Sequence, residues 1–267
     1  MIMKQNKLKG YTLPMTPNGT SSAVTPPPWY FGGSALEVQF ETEIEDFKRF
    51  LPYPFEMTEE GPIVTVNMVS MTSVSNEDDM FLSPGQSQFK ECLIKLRCSI
   101  NGKIGWYVTN VWVDKDFSLL RGFLLGFGKK IGSIEISAPN AYNPIIGSYR
   151  PGLRLQSICS NAKIHISSKI KLIEKLGKEE LVNNSLFVIR HFPSAESSEP
   201  EVHEVVEIVA DQYSRGDIWI GEGDIKINAF NEEIGDLNVK RVLKAKVYNE
   251  GFRLIGAKRI YSYIDKE

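Results

Sequence analysis

The dipeptide Asn101-Gly102 constrains the fold of this chain more than any other feature of the sequence, because it predicts a tight β-hairpin. A two-residue type I′ turn requires positive φ at both positions, and Asn followed by Gly adopts such values with little strain. The flanking residues 89–100 and 103–114 alternate between apolar and polar side chains, as strands with two different faces do. We therefore predict two antiparallel strands joined at this turn.

A regular hairpin also fixes which residues of the two strands are neighbours. It predicts that Glu91 lies opposite Trp112 and that Leu93 lies opposite Asn110, with all four side chains on one side of the ribbon. The opposite side of the first strand is apolar and carries Cys92, Ile94, Leu96 and Cys98. A carboxylate is thereby predicted on the less apolar face of a well-defined strand.

The rest of the sequence predicts more strands and two short helices. Strand patterns occupy residues 35–40, 62–71, 133–137, 163–172, 186–192, 202–213, 218–228 and 239–248, joined by Gly, Asn or Ser turns. A first helix follows a capping box formed by Thr42 and Glu45, and Pro52 ends it. A second helix is predicted from Phe117 to about Leu125, with Asp116 as its N-cap and Gly126 ending it, and it is apolar nearly all round, which predicts burial. This pattern is typical of a mainly β (α+β) protein, most simply a closed barrel or a sandwich.

The length and composition predict a single domain. With 267 residues, 42% of them hydrophobic, the chain can bury a full core, and we expect residues 1–267 to form one unit. Residues 1–28 predict an extended N-terminal arm that ends in three prolines. Residues 73–88 predict a long polar loop, and residues 194–201 are the most linker-like stretch.

The charge distribution argues against nucleic acids and membrane surfaces as partners. The 31 basic and 33 acidic residues are well mixed and give a net charge of −2, so no basic footprint is expected. No apolar run approaches membrane-spanning length, and the N-terminal residues lack the apolar region of a secretory signal. We therefore expect a cytoplasmic protein whose partners are small molecules.

The cysteines and histidines do not predict a metal site. The three cysteines are odd in number, and Cys92 and Cys98 lie on the apolar phase of one strand, which favours core thiols over a disulfide or a metal framework. The three histidines stand singly, without the paired spacing of zinc or iron ligands. We expect neither a metal nor another cofactor.

Residues 126–132, Gly-Phe-Gly-Lys-Lys-Ile-Gly, place two lysines directly after a strongly apolar segment. A solvated turn is one interpretation of such a pair. A P-loop is excluded, because Phe123 stands at its first glycine and Lys130 stands where Ser or Thr would bind Mg²⁺, and a dinucleotide fingerprint fails at Ile131. The other interpretation is a buried lysine, since burial penalises the ammonium, lowers its pKa and leaves a nucleophile for ketones.

Further motifs follow one another along the chain in a specific order. They are Tyr11-Thr12-Leu13-Pro14, Pro26-Pro27-Pro28-Trp29-Tyr30, Phe89-Lys90-Glu91-Cys92, the run 112–118, Arg121-Gly122 and the run 126–132. Their order and spacing resemble the acetoacetate decarboxylase family over most of the chain. The resemblance implies a cone-shaped closed antiparallel β-barrel with a few peripheral helices, assembled into a homo-oligomer.

The resemblance also implies that Lys129 is a nucleophile that forms a Schiff base with a small keto acid, with Lys130 as its neighbour. Lowering a lysine pKa from ~10.4 to near neutrality takes about 4–5 kcal/mol. A second charge ~6 Å away supplies less than about 3 kcal/mol at an effective dielectric constant of ~20. Desolvation by Phe123, Leu124 and Phe127 is therefore expected to supply most of the shift.

Glu91 matches the acidic residue of the family's Phe/Tyr-x-Glu segment, which implies a general acid/base beside the imine. A carboxylate that is hydrogen-bonded for structural reasons is the alternative. Trp112, expected opposite Glu91, and Phe127 complete the predicted surroundings of the site.

Two positions depart from the family pattern. Where the decarboxylases carry an arginine this chain has Gly33 or Ser34, and Asn67 replaces a second glutamate, while Arg121 or Arg150 is the candidate replacement for the arginine. These changes remove two charged side chains that are specific to decarboxylation. The resemblance then implies aldol condensation and dehydration with a 2-oxo acid, which is the chemistry of family members with such changes. Decarboxylation of acetoacetate is the alternative, and a non-catalytic barrel that binds a small molecule is the alternative from another class.

Overall fold

The computed structural model describes residues 7–75, 78–177 and 185–264. In this part of the chain, twelve strands join one sheet. They are β1 (Trp29–Glu41), β2 (Glu56–Met57), β3 (Ile63–Val74), β4 (Gln88–Ile100), β5 (Lys103–Val113), β6 (Lys129–Ile131), β7 (Ser133–Ile136), β8 (Arg154–Ser160), β9 (Ile164–Leu176), β10 (Ser185–Pro193), β11 (Pro200–Ala229) and β12 (Arg241–Ser262). Between them lie the helices α1 (Ile44–Phe50), α2 (Pro84–Ser87) and α3 (Asp116–Leu125), and the 3₁₀ turns Asp78–Leu82 and Glu233–Asp236.

Seven of the strands close into a ring. Their order is β10-β5-β4-β3-β1-β12-β11, and β10 also pairs with β11, which joins the two ends. The strands β9, β8 and β7 extend the sheet beyond β11. Among the described pairs, neighbours are antiparallel except where β5 meets β10 and β6. The closed sheet with few helices confirms the predicted mainly β fold.

Side-chain alternation separates a dry core from the interior of the ring. One face of β1, β3 and β4 is apolar and packs against β8, β9 and α1. This core contains Leu36, Val38, Phe40, Phe47, Met68, Ile94, Ile166 and Ile170. The residues between the apolar ones, among them Glu37, Asn67, Glu91 and Lys95, point into the ring. The three cysteines are buried and free, which agrees with the predicted core thiols.

The predicted hairpin is present, but its register changes along its length. Asn101 and Gly102 have φ of 51° and 75°, as the type I′ turn requires. One residue, Thr109, is left over between the pairs Lys95–Val108 and Ile94–Asn110. This β-bulge shifts all later pairs by one position.

The expected neighbours of Glu91 and Leu93 are therefore wrong. Glu91 pairs with Val113, Leu93 pairs with Val111, and Trp112 pairs with Cys92 on the opposite face. The alternation of β4 itself is as predicted.

The helices differ from their predictions mainly at the first turn. The N-cap of α1 is Glu43, without a side-chain cap bond, and among the described residues the buried Thr42 hydroxyl has no hydrogen-bond partner, so the capping box is wrong. Helix α3 begins one residue earlier than predicted, with Lys115 as the N-cap. Its left-handed end at Gly126 is confirmed. Helix α3 is not buried all round, because Phe123 is 52% exposed.

The C-terminal half is more continuous than predicted. Strand β11 runs through residues 214–217, where a turn was expected, because register shifts at bulges absorb the irregular positions. Strand β12 continues past residue 248, and β8 was not predicted. Residues 73–88 contain the end of β3, a 3₁₀ turn and α2 rather than only a loop. The described chain contains no helix with the length and apolarity needed to cross a membrane.

Candidate active site

The ring encloses a cavity of about 620 Å³. All seven strands, together with α3 and β6, contribute to its wall. Phe31, Phe89 and Phe127 form apolar parts of the wall, and two separate groups of polar side chains complete it. A cavity of this size suits a small molecule. Within the described ranges, no three His, Cys, Asp or Glu side chains come together as a candidate metal site.

Lys129 is carried into this cavity by the sharp end of α3. Gly126 has a φ of 98°, a left-handed value that ends the helix, and the Phe127 N–H donates to the Gly122 carbonyl at 2.9 Å. The chain then enters β6, where Lys129 pairs with Val111 of β5. Strand pairing therefore fixes the direction of the lysine side chain.

The two adjacent lysines lie on opposite sides of β6. The side chain of Lys129 is 7% exposed, whereas that of Lys130 is 47% exposed and forms an ion pair with Glu232 outside the cavity. Gly122 makes room for the inward lysine, because a Cβ at this position would lie 2.4 Å from both Cδ and Cε of Lys129. Because residue 122 has no side chain, the side chain of Lys129 can pass alongside α3 into the cavity.

The Lys129 amine donates hydrogen bonds to two buried side chains. Its partners are a carboxylate oxygen of Glu91, with which it forms an ion pair, and Oγ of Ser118 at 3.0 Å. Lys129, Glu91, Ser118 and the neighbouring Arg121 are called the proximal group below. Glu91 comes from β4, whereas Ser118 and Arg121 come from one face of α3.

Burial is the main reason why the pKa of Lys129 lies below its ordinary value. Glu91 acts in the other direction and raises the pKa, while the Arg121 guanidinium lowers it further. The rings of Phe89 and Phe127 lie 5.7 Å and 5.6 Å from Nζ and shield it from water. Desolvation therefore dominates, as predicted.

Arg121 is a buried cation with an unused donor. It is 4% exposed, and its guanidinium lies over the Phe31 ring at 4.7 Å. Nη1 donates to Oγ of Ser73 at 2.7 Å, but in the described part of the chain the buried Nη2 has no hydrogen-bond partner and no carboxylate forms an ion pair with Arg121. Burial lowers the pKa of Arg121 to about 10 despite the nearby Glu91, so the group remains charged at neutral pH.

A second polar group lies further along the strands, and of its members Asn67 was named from the sequence but the others were not. This distal cluster consists of Glu37, Asn67, Lys95, Arg215, Lys246, Tyr248 and Glu250. Glu37 accepts hydrogen bonds from Nδ2 of Asn67 at 2.8 Å and from Oη of Tyr248 at 3.1 Å, and pairs with Lys246 at 3.2 Å. Burial raises the pKa of Glu37, but Lys95, Lys246 and Asn67 outweigh burial and bring the pKa to about 2.

Four of the predicted site residues meet at one end of the cavity. They are Lys129, Glu91, Arg121 and Phe127, whereas Asn67 lies in the distal cluster of the same cavity. The negative charge that the family pattern places at position 67 stands instead on Glu37, the cross-strand partner of Asn67.

Other residues named from the sequence lie elsewhere. The bulge turns Trp112 into the dry core, where it is fully buried, so its expected place beside Glu91 is wrong. Arg150 lies in an exposed loop away from the cavity wall. Neither Phe123 nor Leu124 lines the cavity, so the predicted shielding of Lys129 by these two residues is also wrong.

One of the two candidate positions for the missing arginine, Gly33, is closed. Gly33 lies on the same face of β1 as Glu37. A Cβ at Gly33 would stand 2.1 Å from the Ser70 carbonyl oxygen and 2.7 Å from Sδ of Met71. Residue 33 can therefore carry no side chain without a shift of β3.

The missed residues had weak signals in the sequence. Ser118 lies three residues before Arg121, which puts both on one helical face. Glu37 and Lys95 each stand between apolar residues of a strand, so each points away from the core. Nothing in the sequence indicated that these two side chains share one cavity, because β1 and β4 are far apart along the chain.

Known proteins of similar sequence or structure identify the family and the fold of this chain. The family model for acetoacetate decarboxylase matches residues 12–264, whereas no curated protein sequence gives a significant match. The enduracididine biosynthesis enzyme MppR, solved with pyruvate, is 25% identical with a TM-score of 0.88 over 96% of this chain and 99% of its own. An acetoacetate decarboxylase-like enzyme from Sphingomonas wittichii RW1 is 28% identical, with a TM-score of 0.86 over 95% of this chain and 99% of its own. An acetoacetate decarboxylase structure, 16% identical with a TM-score of 0.77 over 96% of this chain and 97% of its own, shares the fold. Because the family model spans nearly the whole sequence, the chain belongs to the acetoacetate decarboxylase family and is an enzyme of that family.

Proposed function

We propose that this enzyme joins a small 2-oxo acid to an aldehyde through an imine on Lys129 and then removes water. The observation that carries the proposal is the buried Lys129 amine, bonded to Glu91 and Ser118 and next to the unpaired donor of Arg121. A desolvated lysine loses its proton more readily than one in water, and the free amine adds to ketones. Glu91 is within reach to accept that proton.

The first half of the reaction forms the nucleophilic carbon. The Lys129 ammonium gives a proton to the Glu91 carboxylate, and the free amine adds to the ketone of the 2-oxo acid. The resulting carbinolamine takes the proton back from Glu91 and loses water, which leaves an iminium. Glu91, again a carboxylate, then removes a proton from the adjacent methyl carbon and an enamine forms.

The second half forms and releases the product. The enamine carbon attacks the aldehyde carbon, a C–C bond forms, and Glu91 returns its proton to the new alkoxide, so the iminium is restored. Glu91 next removes a second proton from the same carbon, and the hydroxyl leaves as water with that proton. Hydrolysis of the iminium releases an unsaturated 2-oxo acid and regenerates the Lys129 amine.

We assign Arg121 to the carboxylate of the 2-oxo acid. Its Nη2 donor is buried without a partner, and a carboxylate there would form a charge-assisted hydrogen bond. Arg121 and Lys129 line the same cavity and each lies 5.7 Å from the centre of the Phe89 ring, which supports a carboxylate held next to the ketone that the amine attacks. A side chain at Gly33 would clash with β3, and Arg121 of α3 is the cation of the cavity wall that we propose in its place.

A structural relative supports this type of reaction. MppR has been solved with pyruvate and with the condensation product of pyruvate and imidazole 4-carboxaldehyde. In the structure with the condensation product, MppR is 25% identical to this chain and has a TM-score of 0.87. We carry over from it the class of donor substrate, a small keto acid such as pyruvate.

Decarboxylation of acetoacetate is the second candidate, because Arg121 could also hold the carboxylate of a β-keto acid. Loss of carbon dioxide is favoured when a negative charge destabilises that carboxylate. In this cavity the negative charge of Glu37 is compensated by Lys246 and bonded to Asn67, and is not directed at a substrate carboxylate. We therefore favour condensation.

Trapping with borohydride tests the imine. We expect intact mass spectrometry to show one reduced pyruvate adduct per chain. Absence of an adduct with every small keto acid tried would contradict the proposal and favour a non-catalytic binding protein. Carbon dioxide release from acetoacetate, measured beside the absorbance of an unsaturated 2-oxo acid, separates the two reactions. Fast release that depends on Lys129, without condensation, would replace condensation by decarboxylation.

A further inference from the structure

The distal cluster lines the same cavity but has no part in the steps assigned to the proximal group. Lys95 follows Glu91 by four residues on the same face of β4, which separates their Cα atoms by about 13 Å. Asn67 pairs with Leu93, halfway between the two. The cluster therefore stands where a second substrate would extend away from the imine.

The charges of the distal cluster do not balance. Its cations are Lys95, Arg215 and Lys246, and its carboxylates are Glu37 and Glu250. Lys246 pairs with Glu37 at 3.2 Å, and Arg215 pairs with Glu250 at 3.1 Å. Within the described residues, Lys95 makes neither an ion pair nor a hydrogen bond, and its amine lies 5.6 Å from the centre of the Trp106 ring. Within the distal cluster, one positive charge is thus left without a counter-charge.

This imbalance discriminates between kinds of ligand. Burial lowers the pKa of Lys95, Glu37 and Glu250 raise it, and the other two cations lower it. A cationic ligand would add a fourth positive charge beside carboxylates that are already paired. A wholly apolar ligand would leave the Lys95 ammonium buried and unpaired, which is costly. An anion supplies the missing partner.

We propose that Lys95 binds a carboxylate of the second substrate, so that the acceptor is an aldehyde carrying an acid group at the end remote from its carbonyl. This inference rests on the condensation proposed above and names the class of its acceptor. Arg121 and Lys95 would then hold the two carboxylates at opposite ends of the cavity, and the new C–C bond would form between them. The product class is an unsaturated 2-oxo acid with two carboxylates.

Two aldehydes that differ in charge test the assignment. With pyruvate as the donor, kcat/KM is measured for 4-carboxybenzaldehyde and for its neutral ester, methyl 4-formylbenzoate. We expect the wild type to prefer the acid by roughly 10- to 100-fold, which corresponds to the free energy of one hydrogen bond between charged groups. Lys95→Met should bring the ratio close to one by lowering the value for the acid alone.

Lys103→Met is the matched control. Lys103 also lines the cavity, but its side chain is 56% exposed and already paired with Glu207, so the preference for the acid should persist. Should Lys95→Met fail to fold, as judged by circular dichroism, Lys95→Gln takes its place.

Trapping with pyruvate and borohydride needs no aldehyde and separates the two proposals. If wild type and Lys95→Met both form the adduct, and the wild type shows no preference for the acid, the acceptor assignment is wrong and the imine stands. Equal losses for both aldehydes in Lys95→Met lead to the same conclusion. If the wild type forms no adduct, both proposals are overturned.

Discussion

Glu91 in the proximal group and Glu37 in the distal cluster are both buried carboxylates on the wall of one cavity, yet their surroundings differ. Glu37 is bonded to Asn67, Tyr248 and Lys246, and these neighbours with Lys95 bring its pKa to about 2. In the described part of the chain, Glu91 has a single bonded partner, the amine of Lys129. A carboxylate with many donors stays ionised and is a poor base, whereas one that shares its proton with a single amine can pass it on. The number of donors around each carboxylate is thus the reason why we propose Glu91, and not Glu37, as the acid/base.

The largest expected effect concerns which lysine of the cavity reacts. Lys129→Ala should abolish labelling by pyruvate and borohydride, because the buried Lys129 amine is bonded to Glu91, the proposed acid/base. Lys130→Ala should weaken labelling only slightly, since Lys130 points outward to Glu232. Peptide mapping of the reduced adduct decides the matter. Label on Lys130 or Lys95, or label retained in Lys129→Ala, would contradict the assignment of the imine to Lys129 in the proximal group.

The next effect concerns the role of Glu91. Glu91→Gln should keep the reduced adduct but lower turnover by roughly 10²- to 10⁴-fold, because the amide cannot move a proton to and from the substrate. Turnover and melting temperature are measured on the same preparation. A structural Glu91 would instead give a lower melting temperature with nearly normal activity per folded molecule.

A smaller effect should follow from filling the space at Gly122. The Cβ of Gly122→Ala would lie 2.4 Å from the Lys129 side chain and displace its amine from Glu91. Such a displacement of the reacting amine is expected to lower turnover by about 10²-fold. Gly128→Ala is the control, since its Cβ would meet no atom within 4 Å. Equal turnover in the two variants would show that Lys129 reaches its position by another path.

The smallest expected effect is on stability. The depressed pKa of Glu37 contributes stability that is present above its ordinary value of 4.5 and is lost as pH falls towards 2. The stability difference between wild type and Glu37→Gln should therefore shrink by about 2 kcal/mol between pH 7 and pH 3. Urea denaturation at the two pH values measures it. An unchanged difference would mean that Glu37 is not the ionised, donor-saturated group described here.

Local features of the site were predictable from the sequence, and features that depend on several strands were not. The Asn101-Gly102 turn and the opposite directions of Lys129 and Lys130 follow from backbone geometry within a few residues. The bulge at Thr109 does not, because no glycine marks it and its hydroxyl donates to the Ile94 carbonyl of the partner strand at 3.2 Å. That contact exists only once the strands have paired.

The distal cluster was beyond prediction for a related reason. Its seven residues come from β1, β3, β4, β11 and β12, and their charges interact only across paired strands. An isolated Glu37 or Lys95 in a strand is indistinguishable in the sequence from a solvated polar residue. The balance of charge in the cavity is therefore a property of the closed ring.

The bulge at Thr109 determines which side chains of β5 face the cavity. Beyond Thr109 the strand is turned by one position, so that Val111 and Val113 share the side of Glu91 while Trp112 lies in the core. Strand β6 pairs with residues 111–113, so the same register also sets the direction of the Lys129 side chain. If Thr109 were paired regularly instead of bulged, the indole of Trp112 would replace the two valines on the cavity side, whereas deleting Thr109 would keep the pairs Leu93–Val111 and Glu91–Val113. The side chains that β5 presents to the cavity therefore depend on one unpaired residue, which itself does not line the cavity.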